Sequence, residues 1–225
     1  DDVVAVAPDD RRLTAQAGTR LGDIDAALAD DGLKFAPDPA WGDKSALGGA
    51  IGNNSTGAHS LQYGKTDAYV ESCEVVLADG TVTTFGEVTV DEIRERANPA
   101  ALDDATARDL EGRIYAMLAR IVDAELDTVE AAFPDLKRNV SGYNLDRFVA
   151  EARAALDADE GTVNVARLLA GSEGTLAVVT EATVALEPIP ETKGLALLAY
   201  DSLLDALEDV APILDHDPAA VEVLD

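Results

Sequence analysis

The residues best suited to chemistry in this chain are small ones. Between positions 37 and 64 stand six glycines: Gly42, Gly48, Gly49, Gly52, Gly57 and Gly64. Ser45, Asn53, Asn54, Ser55, Thr56 and Ser60 are interspersed with them. Glycine lets backbone approach a ligand closely and turn through positive φ. Successive free N–H groups in such turns form concavities that suit anions such as phosphates. Trp41, Leu47, Ile51, Leu61 and Tyr63 are interleaved, which a solvated Gly/Ser linker would lack. A long loop of this kind inside a domain is usually functional, so the stretch is expected to pack around something.

Two familiar phosphate patterns fail here. Gly64-Lys65-Thr66 has the ending of a P-loop, but that pattern needs glycine where His59 stands, and no apolar strand leads into it. Gly48, Gly49 and Gly52 miss the dinucleotide fingerprint, because Asp43-Lys44-Ser45 before them is not a buried strand. Two further small-residue stretches accompany the first. One is Arg138-Asn139-Val140-Ser141-Gly142-Tyr143-Asn144-Leu145. The other is Gly171-Ser172-Glu173-Gly174-Thr175, which runs directly into an apolar strand.

The elements that must position these loops follow from periodicity. Residues 3–7 and 13–17 form a hairpin around Pro8-Asp9-Asp10, and its abrupt start suggests a piece of something longer. Leu21, Ile24, Ala27 and Leu28 recur at helical spacing, with Gly32 placed to end the helix. Cys73, Val75 and Leu77 alternate as a strand that returns through a two-residue Asp79-Gly80 turn into 81–85. A long helix is expected from about 106 to 133, with Leu110, Ile114, Met117, Leu118, Ile121, Val122, Val129 and Phe133 as its core stripe. A charged helical stretch to about 159 and a strand at 176–186 follow, the latter with Leu176, Val178 and Val184 on one face and Val179 on the other. Pro188 and Pro190 mark a domain boundary. Beyond them a strand at 195–200, a helix opened by Ser202 with Asp205 three residues on, and a strand at 219–224 begin a second unit.

Composition bounds the partners. The chain has 225 residues, 47% of them hydrophobic, enough for one sizeable domain. Seventeen basic residues against 44 acidic ones give a net charge of −27. The acids are spread along the whole length, so they are expected to coat a folded surface rather than form a tail. Concentrated salt would screen their repulsion, since the Debye length falls to about 3 Å at 1 M. A halophilic cytoplasm is the preferred reading, and a nucleic-acid mimic or cation buffer the alternative. The same charge argues against binding nucleic acid or anionic membranes. Cys73 stands alone, which leaves no internal disulfide and no cysteine metal site; it reads as a buried small hydrophobe.

Three stretches in combination carry a family resemblance. They are the motif from Gly48 to Gly64, Val140-Ser141-Gly142-Tyr143-Asn144-Leu145, and Gly171-Ser172-Glu173-Gly174-Thr175 with the strand to Glu181. Together they resemble the FAD-binding domain of the FAD-linked 2-hydroxyacid dehydrogenases. This is the glycolate oxidase, D-lactate dehydrogenase and D-2-hydroxyglutarate dehydrogenase group, which shares its fold with vanillyl-alcohol oxidase. The resemblance covers most of residues 1–190, with insertions at about 88–136 and 151–163.

It implies an α+β fold: the second subdomain of the vanillyl-alcohol-oxidase/PCMH type, a mixed sheet flanked by helices. Residues 191–225 would begin a ferredoxin-like substrate domain. The first FAD-gripping subdomain would precede Asp1. Carried over by position, the cofactor contacts would be Pro37, Asp38, Ser45, Gly48, Gly49, Asn53, Asn54, Ser55, Gly57, Ser60 and Tyr63, with Glu173, Gly174 and Val179 near the flavin. Gly142 and Asn139 are further candidates. His59 is open between covalent flavin attachment, a flavin-side contact and a hydrogen bond to loop backbone. Glu173 is open between a ribityl partner and a turn cap, and Lys65 between surface and loop bracing.

The implied reaction is oxidation of a D-2-hydroxy acid to the 2-oxo acid, with electrons passing to an unidentified acceptor. The resemblance supplies no general base within this sequence, since the family's substrate-holding histidine and acids would lie beyond Asp225. An iron–sulfur cluster in a following region and a homo-oligomer are compatible with the family. An FAD-free inactive fragment, a sugar oxidase and a cell-wall precursor reductase of the same fold are the alternatives.

Overall fold

The core is a five-stranded sheet in the order β1 (Val3–Ala7), β2 (Arg12–Gln16), β8 (Val178–Ala185), β4 (Val70–Val76) and β5 (Val82–Phe85). It is seen in a computed structural model that describes residues 1–39, 41–104, 108–134, 136, 139–140, 142–158 and 161–224. Strands β1 (Val3–Ala7) and β2 (Arg12–Gln16) make the expected hairpin, closed by Arg11 N–H donating to Pro8 O at 3.1 Å. Helix α1 (Leu21–Ala27) buries Leu21 and Ile24 beneath it, and Leu28, one residue past its end, is also buried. Strand β3 (Leu33–Lys34) pairs with β9 (Glu187–Pro188). Helices α2 (Leu47–Gly52) and α3 (Ser60–Tyr63) turn the glycine-rich stretch into two short helical turns.

Strands β4 (Val70–Val76) and β5 (Val82–Phe85) form the second hairpin. Its turn is longer by one residue than the sequence suggested. Gly80 N–H donates to Leu77 O, and Leu77 N–H donates to Thr81 O, both at 2.9 Å. The loop is therefore Ala78-Asp79-Gly80, with Gly80 in the left-handed region at φ 87°, the three-residue form built on a type I turn.

The long strand β8 (Val178–Ala185) lies between β2 and β4 and runs antiparallel to both. Every pair in the sheet is antiparallel, so the expectation of a mixed sheet is corrected. A parallel neighbour requires a crossover, and here hairpins supply the outer pairs while β8 runs opposite to both of its neighbours.

A bulge corrects a second expectation. Glu181 pairs with Glu74, but the next pair is Val179 with Val75, and the register shifts between them. An extra residue inverts which face each side chain takes. Val179 therefore shares the face of buried Val75, Cys73 and Ala182, while Val178 is 63% exposed. Val178 and Val184 do not share a face, because Thr180 sits in the bulge.

Strand β6 (Glu87–Thr89) pairs with β7 (Thr162–Asn164). This small sheet joins α4 (Val90–Arg96), α5 (Ala100–Asp103), α6 (Leu110–Arg120), α7 (Leu126–Ala132) and α8 (Leu145–Asp157) into a helical layer. Helix α4 opens with a capping box, Thr89 to Glu92 and back. The single helix expected at 106–133 is interrupted by a π turn at Ile121–Glu125, and Thr106, its expected start, lies outside the described residues. Helix α8 buries Phe148, Val149, Ala152 and Ala155, one stripe at helical spacing. The two stretches read as separate insertions thus pack as one layer.

Beyond residue 190 the secondary structure is only partly as expected. Ser202 Oγ accepts from Asp205 N–H at 3.2 Å and caps α9 (Leu203–Glu208), which α10 (Val210–Leu214) follows. No strand forms at 195–200 or 219–224 among the described residues, and residues 191–200 are all exposed. A strand is held by ladder bonds to a neighbour, and among the described residues none pairs with these segments. Among the described residues no helix is long and apolar enough to cross a membrane.

Candidate functional site

A cleft opens where the end of β2, helix α2 and the turn before β8 converge. Its walls are Ala17, Gly18, Gly48, Gly49, Gly52, Leu169, Ser172, Gly174, Ala177, Val178 and Val179, and its volume is about 350 Å³. None of these residues is charged and five are glycines. In a chain of net charge −27, a wall free of carboxylates is a specific arrangement. It suits an anionic or planar ligand held by backbone donors.

The glycines divide by what their missing side chains would meet. A Cβ on Gly48 would stand 2.8 Å from Ala17 Cβ and 3.0 Å from Ala17 O, so this glycine packs α2 against β2. Gly48 N–H donates to Ala17 O at 2.7 Å, and Leu47 N–H donates to Thr19 O at 2.9 Å. A Cβ on Gly49 would meet nothing within 4 Å, and among the described residues its N–H has no backbone acceptor. Gly49 therefore presents open backbone to the cleft.

The opposite rim is a tight turn. Thr175 N–H donates to Ser172 O at 3.0 Å, with Glu173 and Gly174 at φ 51° and 76°. Two successive left-handed residues define a type I′ turn, and a glutamate there carries backbone strain. Glu173 N–H donates to Gly52 O at 2.9 Å, which ties this rim to α2. Tyr143 Oη lies 3.2 Å from Thr175 Oγ1, and a Cβ on Gly171 would stand 2.7 Å from Gly142 O. The loop around residue 142 thus braces the rim from behind.

Of the residues anticipated from sequence, Gly48, Gly49, Gly174 and Val179 line the cleft, and Glu173 stands on its rim. Others serve the loop itself. Asn54 is 2% exposed at φ 47°, and its Oδ1 accepts from Asp67 N–H at 3.0 Å. Ser55 O accepts from both Thr66 N–H and Thr66 Oγ1. A Cβ on Gly57 would fall 1.7 Å from Asp38 O, so the Pro37-Asp38 strap lies directly against that glycine. Ser45 O accepts from Leu21 N–H, and Asn53 caps the end of α2. Tyr63 lies under Lys34 Nζ, 4.0 Å from its ring centroid.

His59 precedes α3, and its Nδ1 is buried without a hydrogen-bond partner among the described residues. This atom makes no hydrogen bond to loop backbone. Lys65 braces a loop: its Nζ donates to Asn139 O at 2.7 Å and lies 3.2 Å from Asp67 Oδ2. Ser60 lines a different, smaller cavity. Arg138 and Ser141 of the middle motif lie outside the described residues. Cys73 is buried, and burial pushes its thiol up to about 12.

Sequence reasoning did not single out Ala17, Gly18, Gly52, Leu169, Ser172, Ala177 and Val178, which also line the cleft. Ala17 and Gly18 end a hairpin strand, and the small residue at 17 opposite Gly48 is the one trace they leave. Val178 reaches the cleft only because the bulge turns it outward.

Residues 1–86 match the family model of an FAD-binding domain. Over its whole length the chain is 30% identical to a D-2-hydroxyglutarate dehydrogenase of Pseudomonas putida, of which it spans 21%. It is 31% identical over 96% of its length to the glycolate oxidase subunit GlcD of Bacillus subtilis, covering 33% of that protein. A D-lactate dehydrogenase of Archaeoglobus fulgidus is 26% identical over 91% of the chain, which covers 31% of it. The chain thus spans about a fifth to a third of these relatives. Among solved structures, an alkyldihydroxyacetonephosphate synthase superimposes with a TM-score of 0.53 at 17% identity, over 98% of this chain and 28% of its own. That likeness shows a shared fold.

Proposed function

We propose that this chain, whose fold is that of an FAD-binding domain of the PCMH type, is the flavin-holding part of an oxidoreductase acting on 2-hydroxy acids. The observation that carries the reading is the cleft between Gly49 and Gly174, uncharged and glycine-lined in a strongly acidic protein. The residues fit the cofactor: Gly49 offers an open face and an unused N–H, as close approach to a pyrophosphate or flavin edge requires. Bound FAD would supply the two-electron chemistry, as the hydride acceptor for a 2-hydroxy acid that also gives up its hydroxyl proton to a base and so becomes the 2-oxo acid.

The chain's own residues bind and orient. Gly48, Gly49 and Gly52 form one wall, Gly174 and Val179 the other. Asn53, Asn54, Ser55, Gly57, Pro37, Asp38 and Ser45 hold the loop in shape around them. His59 Nδ1, Tyr63, Gly142 and Glu173 complete the surroundings. The substrate class is taken from the relatives named D-2-hydroxyglutarate dehydrogenase, glycolate oxidase and D-lactate dehydrogenase. The even spread of acids supports a salt-rich cytoplasm as the working environment.

Anaerobic addition of D-2-hydroxyglutarate, D-lactate or glycolate to the FAD-loaded full-length protein tests the reaction. Bleaching of the visible flavin band by at least one is expected. An unchanged spectrum with all three would refute the hydroxy-acid assignment.

A further inference from the structure

A second cavity, of about 250 Å³, lies between α3 and α8 and shares no wall residue with the first. Ser60, Leu61, Gly64, Lys65, Asp67, Ala68 and Arg147 line it. At about 30 Å³ of liquid per water, it holds several waters rather than one structural molecule. The polar groups around it are incompletely used. Asp67 is 1% exposed; its Oδ2 takes Lys65 Nζ at 3.2 Å and Asn144 Nδ2 at 3.0 Å, but among the described residues its buried Oδ1 has no partner. A buried carboxylate oxygen left unpaired is costly and calls for a donor.

The cations are also partly free. Arg147 spends its Nε on Glu151 Oε1 at 2.9 Å, and among the described residues its two Nη groups have no partner. Lys65 has two acceptors, Asn139 O and Asp67 Oδ2, for three protons. The Ser60 hydroxyl makes no hydrogen bond among the described residues. Arg147 and Lys65 thus keep donors that an anion could take, and Asp67 Oδ1 is the buried atom here that lacks a donor.

We propose that this cavity is a second site for a small hydroxy carboxylate, distinct from the cofactor cleft. The carboxylate would lie against the Arg147 Nη edge and the third proton of Lys65, the geometry in which a guanidinium binds carboxylate best. The hydroxyl would donate to Asp67 Oδ1, with Ser60 at the side. A bare carboxylate leaves Asp67 Oδ1 unpaired, so the site selects for the hydroxyl. Choosing a hydroxy carboxylate over another hydroxylated anion rests on the proposed reaction. Occupancy would reach the cofactor cleft through Lys65 and Asn144, which hold the two ends of the loop that braces the cleft's rim.

Calorimetric titration of the FAD-free chain with glycolate, acetate and inorganic phosphate tests this. Working without FAD separates failure here from failure of the cofactor cleft, which is read by flavin binding. Saturable glycolate binding is expected, at least about tenfold tighter than acetate, and weakened by about tenfold or more in Arg147→Gln. Ser60→Ala, which touches no ion pair, should weaken it less. Thermal melts of both variants confirm that they fold. Absence of saturable glycolate binding, equal affinity for acetate, phosphate binding tighter than glycolate, or wild-type affinity in a folded Arg147→Gln would each overturn the assignment.

Discussion

Gly48 and Gly49 are adjacent in one helical turn, yet the structure assigns them opposite tasks, and alanine at each should separate them. A Cβ on Gly49 meets nothing within 4 Å. Within a helix, alanine is favoured over glycine by about 0.5–1 kcal/mol, so Gly49→Ala should raise the melting temperature of the FAD-free chain by about 1–4 °C. The same methyl stands in the cleft where backbone must approach the ligand. An overpacking cost of about 1–3 kcal/mol translates to about 5- to 150-fold weaker FAD binding. Gly48→Ala inverts the pattern. Its methyl would sit 2.8 Å from Ala17 Cβ and 3.0 Å from Ala17 O, so α2 must leave β2 and the Gly48-to-Ala17 bond at 2.7 Å is strained. A net loss of about 1–2 kcal/mol is expected. Differential scanning fluorimetry of the FAD-free variants and flavin-fluorescence titration read the two effects independently. A Gly49→Ala protein that is more stable and binds FAD as well as wild type would refute the placement of the cofactor. A Gly48→Ala protein that melts unchanged would refute the packing.

Other consequences follow from single positions. Glu173→Val puts a β-branched residue at φ 51° and should lower stability by about 1–2 kcal/mol in urea denaturation, although the site is exposed; an unchanged midpoint would mean that the turn is not left-handed. Asp67→Ala strips Lys65 and Asn144 of a buried acceptor and should cost about 3–5 kcal/mol by the same measurement, whereas a loss under 1 kcal/mol would show the network to be dispensable. Burial raises Cys73 from 9.0 to about 12 and Tyr69 from 10.0 to about 12. The folded state therefore keeps these protons longer than the unfolded one, so stability from both groups is complete below about pH 9 and is lost as pH rises towards about 12. Chemical denaturation between pH 8 and 11 should show that decline, and a flat profile would contradict the burial. Finally, screening of the −27 net charge should raise the melting temperature from dilute to molar KCl; no change would remove the case for salt adaptation.

The hairpins at 3–17 and 70–85 were legible because burial on one face imposes alternation, whereas the strands expected at 195–200 and 219–224 do not form among the described residues. Cys73, Val75 and Leu77 are buried as their spacing foretold. Within the five-stranded sheet, the side-chain facings and the turn length that escaped were set by single-residue insertions that no pattern announces. The bulge at Thr180 inverts Val178 and Val179, and the extra residue at Ala78 lengthens a turn. The antiparallel sheet depends on which partners β8 finds across the chain, a choice that its own apolar sequence does not encode. At the cleft, glycine content pointed to Gly48 and Gly49 together, but only three-dimensional packing distinguishes a glycine that faces a strand from one that faces open space. Likewise the bonds that Asn54 and Ser55 make within their own loop were not legible, because small polar residues look alike in sequence whether they meet a ligand or brace a loop.

Loading FAD onto this chain in concentrated KCl, dialysing it, and recording the visible spectrum tests the central claim most directly. The account predicts that yellow colour is retained by the wild type and lost from Gly49→Ala while Gly49→Ala remains folded. A colourless, folded wild-type chain that also fails to quench flavin fluorescence would contradict the claim that the glycine-lined cleft is the cofactor site.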